Sequence, residues 1–97
     1  MITHLLLLRL KPGVGRDDPR LARIAAAMDA LPEKIAVIRT WEHGFNTTPD
    51  EDAWDYGLRA VFADRGGLEA YFEHPEHQPV LAAIEQVAEL AFVDFDS

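Results

Sequence analysis

Residues 5–8 are four consecutive leucines inside the segment ITHLLLLRL, and Lys11-Pro12-Gly13 follows at once. That break confines the segment to strand length, and no helix cap precedes it. Side chains alternate across a strand, so His4, Leu6, Leu8 and Leu10 face one way and Leu5 and Leu7 the other. Both faces of this first strand are therefore apolar, and a sheet built around it needs cover on both sides.

The remaining segments decide what that cover can be. Asp18-Pro19 supplies an N-cap and a proline for the first helical position, and Leu21, Ile24, Met28 and Leu31 recur at helical spacing until Leu31 meets Pro32. Residues 35–40 are rich in β-branched side chains and predict a second strand ending near Phe45, before the polar loop 47–52. Residues 54–62 predict a third strand, stopped at Asp64-Arg65-Gly66-Gly67. A short helical piece over 68–72 is interrupted because Pro75 forces His74 out of the α region. Pro79 suits the first turn of a renewed helix with the stripe Val80, Ile84, Val87 and Ala88, and residues 91–95 close the chain as a strand.

The order is βαββαβ, with no internal repeat. It predicts an α+β, ferredoxin-like, four-stranded antiparallel sheet with both helices on one face, a single domain over residues 1–97. The second apolar face is most simply covered by the same face of another copy, which predicts a homodimer, a dimeric α/β barrel enclosing an apolar space. The alternative is an open face that binds a different protein.

Composition removes several functions. A formal net charge of −8 repels phosphate backbones and anionic headgroups, so neither nucleic acid nor a membrane surface is expected as partner. The absence of cysteine excludes disulfides, thiolate nucleophiles and zinc-thiolate clusters and is compatible with a cytoplasmic location, the one expected here. The apolar run at the start is too short to span a bilayer and lacks the basic start of a signal peptide, so it reads as a strand of the mature protein. With no secretion signal, the Asn46-Thr47-Thr48 sequon is set aside.

The stretch YFEHPEH, residues 71–77, concentrates the reactive side chains. Histidine titrates near neutrality, so His77 can withdraw the acidic proton between two carbonyls and return it. Tyr71 can donate a hydrogen bond to the enolate oxygen, and His4 can orient a substrate carbonyl. Plainer roles stand beside these: Tyr71 a core phenol, His74 a cap for the next turn, His4 a buried hydrogen-bonded histidine, His43 a surface residue. A divalent metal at His74 and His77 with Glu73 and Glu76 is disfavoured by the proline between the imidazoles, so no metal is expected. Leu6, Leu8, Leu58 and Phe92 are candidate pocket walls, and Asp50-Glu51-Asp52 reads as solvated surface.

Across the whole chain, the opening strand with its histidine, LPEKI, the glycine of WEHGFN, YGLRAVF, YFEHPEH and the final VDF resemble the Dabb family of stress-responsive dimeric α/β-barrel proteins. Plant polyketide cyclases within that family imply an aldol-type cyclisation of a linear poly-β-keto thioester, with the carboxyl retained and no cofactor. The resemblance implies His77 as the catalytic histidine, Tyr71 as its partner, and His4 as the strand-one histidine of the site; with Tyr56, His74, Leu6 and Leu58 these are the expected substrate-binding residues around an apolar, carbonyl-rich small molecule. Tyr56 stands where those cyclases carry a pocket histidine. A noncatalytic ligand-binding dimer and a cofactor-free monooxygenase are the alternatives.

Overall fold

Strand β1, Ile2–Leu10, sits inside the sheet as its twofold apolar pattern requires: in the computed structural model, which describes residues 1–97, the strand order is β2-β3-β1-β4. The other strands are β2, Thr40–Phe45, β3, Tyr56–Phe62, and β4, Ala88–Asp96, and every pairing is antiparallel. Gly13, with φ +86°, takes the left-handed turn after β1 that other residues adopt reluctantly. Helices α1, Pro19–Lys34, α2, Arg65–Glu73, and α3, His77–Val87, complete a ferredoxin-like fold with the βαββαβ order, its second helical unit broken in two.

Helix α1 starts where expected, with the Asp18 carboxylate accepting from the Arg20 amide at 2.9 Å. It does not stop at Leu31 but runs through Pro32. A proline there cannot donate to the carbonyl of Met28, four residues back. The Trp41 indole of β2 fills that vacancy, donating Nε1–H to the Met28 carbonyl at 2.9 Å.

The second strand begins later than expected. Residues 35–39 form a turn in which the Ile35 amide still bonds the Leu31 carbonyl at 2.9 Å, and Ile35 is fully buried against the core. The β-branched composition there reflects burial, not ladder pairing. Residues 54 and 55 also precede β3; Asp55 instead caps the end of β1, its carboxylate accepting from the Leu10 amide at 2.8 Å. Helix α2 starts at Arg65, three residues before the expected Leu68, because Asp64 accepts from the Gly67 amide at 2.9 Å. His74 is extended, at φ −64° and ψ 133°, as a residue before proline should be.

All three helices lie on the face of the sheet that carries His4, Leu6, Leu8, Leu58, Ala60 and Phe62, all buried. The opposite face exposes Leu7, Val93 and Phe95 at 46%, 53% and 44%. Toward its β2 edge, Gly44 of β2 and Gly57 of β3 stand side by side in the ladder.

Candidate functional site

The break between α2 and α3 creates the site. Ending one helix at His74 and starting another at His77 turns Tyr71 and His77 toward the sheet, and both are buried there, their rings 4.4 Å apart. They line a cavity of about 310 Å³ between the helices and the sheet. His4 lines it from β1, its ring 6.1 Å from that of Tyr71, and Leu6, Leu58 and Phe92 supply apolar wall. Leu8 is core beyond the cavity.

The register of β1 against β4 places Asp94 directly opposite His4, and its carboxylate lies 2.5 Å from His4 Nδ1. A carboxylate only accepts, so Nδ1 carries a proton and donates it to Asp94. Sequence reasoning missed Asp94. The signal was available in the closing VDF segment, because pairing the first and last strands in antiparallel register brings an aspartate across from the opening histidine.

Electrostatics sets the protonation states. Burial pushes the Tyr71 phenol well above its ordinary range, so it stays an O–H donor. Burial holds the His77 imidazole below its ordinary value; the Phe72 carbonyl pulls it upward, and the nearby His4 and His74 push it further down. His77 is therefore neutral at pH 7. Its Nδ1 is buried without a hydrogen-bond partner, an arrangement native proteins seldom leave without a reason.

Two residues assigned to the pocket from sequence lie outside it. His74 accepts from the Glu76 amide at Nδ1, 3.1 Å away, and its carbonyl accepts from the His77 amide at 2.9 Å, so it shapes the interhelix turn. Tyr56 is buried, but its hydroxyl is engaged by His43 Nδ1, and His43 Nε2 reaches Asp29 Oδ1 at 2.7 Å. Since Asp29 only accepts, His43 Nε2–H donates to it. Burial, with Asp29 behind it, raises the Tyr56 phenol to about 12. This relay ties α1 to β2 and β3, and it corrects the reading of His43 as a surface residue: its side chain is only 11% exposed.

The cavity belongs to the helix-covered face of one protomer, and the exposed apolar face lies on the other side of the sheet. No three His, Asp or Glu side chains come together in a metal-ligating group.

The stress responsive A/B barrel domain pattern matches residues 2–97. The chain belongs to this family, Dabb. An uncharacterised Streptomyces coelicolor protein is 35% identical over 96 residues, covering 99% of both chains. A dimeric Bacteroides fragilis protein of unknown function and ferredoxin-like fold is 30% identical at TM-score 0.85, covering 99% of this chain and 95% of that one. A hydroxynitrile lyase from Passiflora edulis shares the Dabb chain's fold at TM-score 0.82 and 13% identity, covering 97% of this chain and 90% of the lyase.

Proposed function

We propose that this Dabb protein is a homodimeric, cofactor-free cyclase that closes a poly-β-keto substrate by an aldol-type reaction. The observation that carries the reading is the convergence of three polar side chains, His4, Tyr71 and His77, on one apolar cavity whose other walls are hydrophobic. A methylene between two carbonyls is acidic enough for neutral imidazole to deprotonate, and His77 is held neutral. The resulting enolate carbon attacks a distant ketone carbon of the same chain. The new alkoxide takes back a proton, and loss of water follows. Tyr71 donates to the enolate oxygen in a site where little water competes, and His4, fixed by Asp94, holds a carbonyl region in place.

The homodimer reading is supported by the exposed apolar sheet face and by the dimeric state of the Bacteroides fragilis relative. The cyclase reading is tested by turnover of a linear tetraketide N-acetylcysteamine thioester, followed as cyclised product against buffer. His77→Ala is expected to lower the rate by about 10²–10⁴, the usual contribution of a positioned acid/base group. If the wild-type protein gives no acceleration although the thioester binds, the chain is a ligand-binding dimer and the cyclase reading is wrong.

A further inference from the structure

The wall of the helix–sheet cavity contains no lysine and no arginine, and its only polar side chains are His4, Tyr71 and His77. Neither imidazole offers a free positive charge. His4 is already matched by the Asp94 carboxylate at 2.5 Å, and burial keeps His77 neutral. A carboxylate entering this space loses its water, meets no cation, and lies close to an existing carboxylate, all of which disfavour it. The whole chain, at −8, repels it from a distance as well. A neutral carbonyl needs only a hydrogen-bond donor, and the Tyr71 hydroxyl is one.

Size narrows the ligand further. About 310 Å³ is at the small end of ligand pockets, enough for a ring with a short side chain. The Phe92 ring lines the same cavity yet remains 64% exposed, which marks the side where the space meets solvent and where any larger carrier group stays outside.

We propose that this cavity selects uncharged carbonyl compounds, that is ketones, esters and thioesters, and excludes the corresponding free carboxylic acids. The proposal rests on the assignment of His4, Tyr71 and His77 as the ligand site and adds the charge class of what that site accepts.

Acetovanillone and vanillate share one ring and differ as methyl ketone against carboxylate, so calorimetric titration of the full chain with each at neutral pH isolates the charge. Side-chain NMR of the histidines reports where each binds. The ketone is expected to bind with saturable shifts at His4 and His77, and vanillate at least about tenfold more weakly. In Leu81→Lys, which adds an ammonium group to the wall, that ratio is expected to shrink or invert. Equal binding of both compounds to the wild type, or a ratio unchanged in Leu81→Lys, overturns the charge selection and leaves the site assignment standing. If neither acetovanillone nor benzoylacetone shifts His4 or His77, the site assignment fails and the charge selection falls with it.

Discussion

Neutral His77 makes the chemistry dependent on pH in a definite direction. Its imidazole is held below the ordinary 6.5, so the base form is lost only at pH values under that figure. The cyclisation rate is expected to be flat at neutral pH and to fall on acidification with an apparent pKa below 6.5. Stability follows the same group. Between its folded and unfolded values the unfolded chain binds the extra proton, so His77 subtracts stability as pH falls below about 6.5 and has no such effect above it. Urea unfolding of wild type and His77→Gln across that range checks this: the wild type should lose more stability on acidification than the variant. Asp94 is expected to act through His4. Asp94→Asn leaves an acceptor in place but removes the charge, so it should lower kcat more than it raises KM and should shift the pH profile, whereas a purely structural role would change only unfolding. At this scale the sequence disclosed His4, Tyr71 and His77 through one short string and one strand. It hid Asp94, His43 and the Asp29 relay, because each depends on a partner 13 to 90 residues away.

The elements owe several of their boundaries to side chains that replace missing backbone partners. Periodicity located α1, α3 and β1 well, since repeated burial on one face imposes a repeat on the sequence. It failed at Pro32, where the Trp41 indole supplies the donor that proline lacks, and at residues 35–39, where buried Ile35 and half-buried Val37 and Ile38 imitate a strand. Trp41→Phe is expected to leave the Met28 carbonyl without its partner and to cost about 1–3 kcal/mol in urea unfolding. In a Pro32→Ala background the new amide can reach that carbonyl, and the same substitution should cost measurably less. Equal costs in both backgrounds would show that the indole acts by packing alone. The interruption between α2 and α3 was legible from Pro75, and its consequence is functional: one continuous helix over residues 65–87 would not turn both Tyr71 and His77 onto the same cavity.

For the molecule as a whole, the two apolar faces of β1 differ: helices and a cavity cover one side, and the other is exposed and is the face on which the proposed homodimer would pack. Gly44 and Gly57 bear on that second side. Glycine inside a strand weakens it unless something approaches closely. Nothing in the protomer requires glycine at 44, because a Cβ there meets no atom within 4 Å, and at 57 it meets only ordinary contacts with Leu7 Cδ2 at 3.8 Å and the Leu6 carbonyl at 4.0 Å. The flat patch is where a partner's side chain can seat. Gly44→Val is therefore expected to leave the protomer folded while shifting the dimer toward monomer in light scattering after gel filtration. A Gly44→Val protein as dimeric as the wild type would place the interface elsewhere.

The central claim is that His4, Tyr71 and His77 form one ligand site on the helix-covered face. It is tested most directly by a side-chain NMR titration of the four histidines with benzoylacetone, in the wild type and in His77→Ala. The account predicts saturable shifts at His4 and His77, none at His43, and weakened shifts at His4 in the variant. Silence at His4 and His77, or shifts confined to His43, would contradict it.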